Sequence, residues 1–76
     1  MKITIDFECG LVFKDGNELP TRLKGNGYLG ISVNGKSFYL HRYLWEQFHG
    51  KKLKGHIDHI DGDKHNNSIS NLREVS

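Results

Sequence analysis

Apolar and polar residues alternate at the start of the chain, where Thr4 and Asp6 separate Ile3, Ile5 and Phe7 in the period of a half-buried β-strand. LVFKDGNEL follows, and its Asp15-Gly16 pair between apolar flanks predicts a hairpin. PTRLKGNG, with Pro20, Gly25 and Gly27, reads as a loop that presents Arg22 and Lys24. In YLGISVNGKSFYL, Asn34-Gly35 fits the positive φ angles of a two-residue type I′ turn. That turn sets Val33 against Lys36, Ile31 against Phe38 and Leu29 against Leu40, which collects Leu29, Ile31, Val33, Phe38 and Leu40 on one face. The period then changes. Leu40, Leu44 and Phe48 recur at every fourth position, Trp45 widens the stripe, and Gly50 stands where a helix C-cap is expected. The pattern predicts a helix over residues 41–49 laid on the hairpin face, with its aromatic residues serving as core. KKLKG is then a basic connector, HIDHI a short strand, DGDKHNN a polar loop, SISNL one helical turn with Ser68 as N-cap, and REVS a terminal strand fragment.

These elements predict a single small α+β domain. A chain of 76 residues buries only about 60% of its unfolded surface, so its core is thin and any site must be simple. Cys9 is the sole cysteine, which excludes an internal disulfide and is read as a small core residue. No run approaches the roughly 20 apolar residues of a membrane span, and MKITIDFECG alternates rather than forming the apolar stretch of an export signal. A soluble, cytoplasmic chain with no membrane partner is expected.

The distribution of charge says more than its total of +2. Residues 19–57 hold Arg22, Lys24, Lys36, Arg42, Lys51, Lys52 and Lys54 against Glu46 alone. Residues 58–76 hold Asp58, Asp61, Asp63 and Glu74 against Lys64 and Arg73. Basic surface attracts a polyanion through counterion release, whereas clustered carboxylates repel one unless a cation lies between them. An ordinary solvated lysine face is the bland alternative, and the abrupt change of sign at residue 58 argues against it.

That change falls inside HIDHIDGDKHNN, His56 to Asn67, which gathers histidines, aspartates and asparagines. A calcium loop fails, because Asn66 and Leu72 stand where the loop needs its glycine and its bidentate glutamate. His56, Asp58 and His59 reproduce an HxDH fragment of dinuclear zinc hydrolases, but those enzymes draw further ligands from a much larger fold. Structural zinc on Cys9 and the histidines lacks any paired spacing.

Taken whole, LHRYLWEQFHGKKLKGHIDHIDGDKHNNSISNLREVS resembles the HNH endonuclease family in its phage-type branch, with Asp58-His59, Asp61-Gly62, Asn66-Asn67 and Asn71-Leu72 all in register. YLGISVNGKSFYLHR is similar to the strand module that often precedes such nucleases, so the resemblance covers residues 28–76 and leaves residues 1–27 without a role. It implies a β-hairpin module, a short helix and a ββα-metal HNH motif. The activity implied is divalent-metal-dependent hydrolysis of DNA phosphodiesters. His59 corresponds to the family's general base, and an imidazole with its usual pKa near 6.5 suits proton abstraction at neutral pH. Asn71 corresponds to the middle letter of the family name, with its amide oxygen fixing the tautomer and orientation of that imidazole. Asp58 corresponds to the carboxylate ligand of one divalent ion, Mg²⁺ or Mn²⁺ ahead of Zn²⁺ or Ni²⁺. No small-molecule cofactor is implied. Adjacent residues of a regular strand point to opposite faces, so Asp58 and His59 can address one phosphate only if the strand bulges, twists or ends there.

Around this pair, His56 reads as surface, Asp63 and His65 as loop polars, Asp61 as a cap of the loop backbone, and His41 and His49 as structural. Lys51, Lys52, Lys54, Arg42, Arg22 and Lys24 are the expected phosphate contacts, with Lys36 as a further candidate and Lys51 to Lys54 foremost because they adjoin the site. Family members continue past Asn-Leu through a strand into a helix that carries the last metal ligand, whereas this sequence stops at Ser76. The motif is therefore expected to be C-terminally truncated with damaged metal binding, unless a second copy, Asp63 or His65 supplies the ligand. The competing readings are a nucleic-acid-binding module that does no chemistry and a protein-interaction domain. The setting implied is a bacterial or phage-infected cell, with the oligomeric state open.

Overall fold

The computed structural model describes residues 2–52 and 55–75. Asp15 and Asn34 both take positive φ, 52° and 51°, and each is followed by a glycine at 83° or 82°. These are the two hairpin turns that Asp15-Gly16 and Asn34-Gly35 predict. The first joins β2 (Leu11–Lys14) to β3 (Asn17–Glu18), and β1 (Ile3–Asp6) pairs with the other edge of β2. The second joins β5 (Leu29–Val33) to β6 (Lys36–Tyr39), with β4 (Thr21–Leu23) on the other edge of β5. Both sheets are antiparallel. A helix, α1 (Leu40–His49), follows β6 directly, and β7 (His56–His59) and β8 (Leu72–Val75) form a third, two-stranded sheet. The result is a small α+β fold.

Val33 opposes Lys36 and Ile31 opposes Phe38, as the turn requires. The ladder then closes at Gly30 and Tyr39, and Leu40 leaves the sheet as the first residue of α1. The expected pairing of Leu29 with Leu40 is thus not made; Leu29 opposes Leu23 instead. That second pairing also corrects the reading of residues 20–27 as a loop, since Thr21, Arg22 and Leu23 form an edge strand. Pro20 and the glycines mark the ends of this strand, but its pairing is a tertiary choice that local composition does not carry.

One core joins the first two sheets to the helix. Val12, Ile31, Val33, Leu40, Tyr43 and Leu44 are buried, with Ile3, Ile5, Phe7, Leu19, Leu29 and Phe38 packed around them. Phe48 is 53% exposed rather than part of the stripe. Leu40, Tyr43 and Leu44 form the inward face at the i, i+3, i+4 spacing, while Phe48, one turn later, meets Phe7 edge-on at 5.1 Å. Gly50 closes the helix in the left-handed conformation, φ 68°, and its N–H donates to the Glu46 carbonyl at 2.8 Å. Cys9 is exposed, not core: it lies in the turn between β1 and β2, where the Asp6 carboxylate pushes its thiol pKa up. Ser68 precedes a single 3-10 turn, Ile69–Asn71, but makes no side-chain cap; its hydroxyl lies 3.0 Å from that of Ser70.

Two contacts tie the first sheet to the C-terminal loop. The Ile69 N–H donates to the Phe7 carbonyl at 2.8 Å. Gly10, at φ +71°, lies so close to Asn67 that a Cβ there would stand 2.7 Å from the Asn67 carbonyl carbon and oxygen. Among the described residues no helix is long and apolar enough to cross a membrane.

Leu44 is 0% exposed, so Leu44→Ala is expected to destabilise the fold by about 2–5 kcal/mol in urea titrations. Gly10→Ala meets both an unfavourable φ and the Asn67 backbone, whereas Gly62→Ala at φ +79° has open space and faces the φ term alone. The same titrations should therefore show Gly10→Ala as the more destabilising of the two.

Candidate active site

Along β7 the side chains alternate: His56 is exposed, Ile57 buried, Asp58 half-buried and His59 buried. The register to β8 is regular from His56–Val75 to His59–Leu72, with no bulge. The strand ends at His59, and the Gly62 N–H, at a residue with φ 79°, turns back to the His59 carbonyl at 2.8 Å. Of a bulge, a twist or an end at this pair, the structure shows the end of the strand.

His59 is 6% exposed and Asn67 3%. Nε2 of His59 lies 2.8 Å from Oδ1 of Asn67. An amide oxygen only accepts, so in the neutral ring this contact places the proton on Nε2 and leaves the lone pair on Nδ1. The amide oxygen that meets the ring is thus that of Asn67, in place of the expected Asn71. Asn71 instead closes the loop: its Nδ2 donates to Asp61 Oδ1 and to the Asn66 carbonyl, each at 2.9 Å, and its Oδ1 accepts from the Asp61 N–H at 3.2 Å. The register explains the exchange. Leu72 is the residue opposite His59, so Asn71 lies beyond the end of β7, where its carbonyl accepts from the Ile60 N–H at 2.8 Å. In the sequence Asn67 stands out only as part of the doublet Asn66-Asn67 at the end of the polar loop DGDKHNN.

Asp61 binds the same loop from inside. Its carboxylate accepts from the side chain of Asn66, the backbone of Asp63 and the side chain of Asn71, which together hold its pKa below the ordinary carboxylate value. Asp63 accepts from the His65 N–H at 3.0 Å, so both act as loop polars. Lys64 ties the loop to residues 26–28: its Nζ donates to the Asn26 carbonyl at 3.0 Å and lies 4.7 Å from the centroid of the Tyr28 ring.

Asp58 faces Arg73 across the β7–β8 pair, and Nη2 and Nε of Arg73 reach its Oδ2 at 2.9 and 3.0 Å. Sequence reading missed Arg73, because its relation to Asp58 appears only once the register of the two strands is known. Among the described residues no three His, Cys, Asp or Glu side chains come together to hold a metal. The closed nitrogen and sulfur set of a zinc site is thus missing there. A hard ion such as Mg²⁺ keeps most of its water and needs one or two carboxylates besides substrate phosphate. The half-exposed carboxylate of Asp58 fits that demand, in competition with Arg73.

His41, at the start of α1, is 6% exposed, and its Nδ1 has no hydrogen-bond partner. Burial, then the neighbouring His59 and Arg42, lower its pKa from 6.5 to about 4. His49 is exposed at the far end of the helix, its ring 4.2 Å from that of Trp45.

The expected phosphate contacts are spread over three clefts. Arg22 and Lys24 line one of about 310 Å³ with Ser32 and Ser37 on the β4–β6 sheet. Arg42 lines one of about 320 Å³ with Tyr28, Tyr39, His41 and His56. Lys51 and Lys52 border Glu46 and Gln47 near the end of α1. Lys54 lies outside the described residues. Among the described residues, the cleft lined by Arg42 reaches β7 at His56 and Ile57.

A family model described as HNH endonuclease matches residues 38–76. A solved structure showing DNA binding and cleavage by the HNH homing endonuclease I-HmuI matches with a TM-score of 0.78 and 32% identity, over 97% of this chain and 46% of that one. The chain thus spans less than half the length of that protein. The structural match also takes in N-terminal strands for which the sequence resemblance gave no role. Comparison with curated proteins gives no match.

The buried ring of His41 makes stability depend on pH. The folded chain keeps it neutral down to about pH 4, while the unfolded chain takes up its proton near 6.5. Its contribution is fully present above pH 6.5 and is lost as pH falls towards 4. Thermal melts over this window should show a falling Tm, and His41→Phe, which keeps a flat ring and removes the titration, should show a shallower fall.

Proposed function

The chain belongs to the HNH endonuclease family, and from that premise we propose that it hydrolyses DNA phosphodiester bonds with His59 as general base and Asp58 as ligand of one divalent ion. The observation that carries the reading is the contact of His59 Nε2 with Asn67 Oδ1 at 2.8 Å at the end of a strand, which in the neutral ring leaves Nδ1 as the basic nitrogen.

A phosphodiester resists attack because its negative charge repels the nucleophile and because its 3′-oxygen leaves poorly. In the proposed reaction Nδ1 of His59 takes a proton from water, the oxygen attacks phosphorus, and the 3′-oxygen departs with the bonding pair and is protonated by solvent. The Asn67 carbonyl dipole faces the Nε2 proton, so it also stabilises the imidazolium that forms. Asn71 keeps the loop that follows β7 closed through Asp61 and Asn66, and is a positioning residue in this scheme. Asp58 would hold the ion, Mg²⁺ or Mn²⁺, which would supply Lewis acidity towards the phosphate oxygens. Arg42, Arg22, Lys24, Lys51, Lys52 and Lys54 are proposed to contact phosphates and orient the duplex without specifying its sequence.

One observation favours a second reading. The guanidinium of Arg73 already neutralises Asp58, which suits a module that holds DNA and does no chemistry. Supercoiled plasmid incubated with the chain and Mg²⁺ or Mn²⁺ distinguishes the two. Nicking by the wild type that EDTA stops and that His59→Ala lowers by about 10²-fold or more supports the nuclease. Salt-dependent retardation of uncut plasmid by both proteins supports the binding module.

A further inference from the structure

We propose that Tyr28 and His41 are positioning residues that wall the imidazole of His59 and fix the direction of its free nitrogen. The role in catalysis rests on the reading of His59 as the base; the wall itself is a statement about the ring. Tyr28 and His41 are stacked, with centroids 4.8 Å apart and planes 28° from parallel. Both reach His59, His41 at 5.2 Å and Tyr28 at 5.9 Å. His41 belongs to the helix, whereas Tyr28 immediately precedes β5 and lies outside the stretch that the family model matches.

The need for a wall follows from the hydrogen bonding. Asn67 grips His59 at one atom, Nε2. A single bond of that kind sets the tautomer only while the ring stays turned towards Asn67, and it does not by itself stop the ring from rotating out of the bond, so a base aims its lone pair usefully only when the ring plane is fixed as well. Two flat rings from different elements supply the missing constraint. Lys64 holds the outer member of the stack in place, since its ammonium lies near the Tyr28 ring and also bonds the Asn26 carbonyl two residues before it.

His41 shows the demand for shape most plainly. It is almost fully buried, and its Nδ1 makes no hydrogen bond, so the fold gains nothing from that polar atom. The contacts the position does make are ring contacts, with Tyr28, Tyr39 and His59. Phenylalanine should therefore serve at 41 and at 28, and alanine at neither.

The test reads the ring and the reaction separately. ¹⁵N-detected imidazole spectra of the metal-free chain report the His59 tautomer directly. The wild type, Tyr28→Phe and His41→Phe are expected to show one protonated and one unprotonated nitrogen. Tyr28→Ala and His41→Ala are expected to move both signals towards their average. Val12→Ala, in a core cluster that does not include His59, serves as the control for lost stability and should leave the signature unchanged. In plasmid nicking the two alanine variants should lose about 10- to 100-fold in kcat with KM little changed, and the two phenylalanine variants should retain wild-type rates. Unshifted nitrogen signals in the alanine variants, an equal shift in Val12→Ala, or phenylalanine variants as impaired as the alanine ones would each overturn the proposal. A wild type that does not nick removes the hydrolytic reading, while the nitrogen signals still decide whether these rings hold His59.

Discussion

The bond between His59 Nε2 and the Asn67 carbonyl oxygen is made where both residues are almost fully buried, so water has little access to replace it if either residue moves. Each neighbouring element bears on that bond. Gly10 leaves room for the Asn67 backbone where any side chain would collide, and the Phe7 carbonyl takes the Ile69 N–H just beyond. Asn71 and Asp61 close the loop that carries Asn67, and Lys64 fastens it to Asn26. The first sheet, remote in sequence from the Asp58-His59 pair, thus supports the position of the His59 ring.

Such an arrangement suits a chain with a thin core. The contiguous apolar cluster lies between the helix and the first two sheets, and the β7–β8 pair adds only Ile57 and Leu72 as buried apolar residues. Around that hairpin the polypeptide relies on side-chain to backbone bonds, which give direction as well as energy. A loop ordered in this way needs many polar residues close together. The crowding of HIDHIDGDKHNN reflects that need as much as it reflects chemistry.

What could be read from the sequence was what local physics decides. Asp15-Gly16 and Asn34-Gly35 announced their turns because few residues accept positive φ, and Leu40, Leu44 and Gly50 announced the helix by spacing and cap. What remained hidden was decided by partners distant in sequence. Thr21 to Leu23 became a strand because β5 offered an edge, and Leu40 exchanged a sheet position for a helical one because the ladder ended at Tyr39. The same holds in the site. Asp58 and His59 stood out as a pair of ligand and base types, but their partners Arg73 and Asn67 follow from the β7–β8 register and from the path of the loop. Asn71 carried the expected family label, and the register put it on the loop instead of the ring.

If the Asn67 bond is the constraint on which the site depends, its loss should disable the base while leaving the DNA-binding surface intact. The direct measurement is the rate of plasmid nicking by Asn67→Ala at a temperature where circular dichroism shows the variant folded. The account predicts a rate at least about 10-fold below that of the wild type with plasmid retardation unchanged. Nicking by Asn67→Ala at the wild-type rate would contradict it.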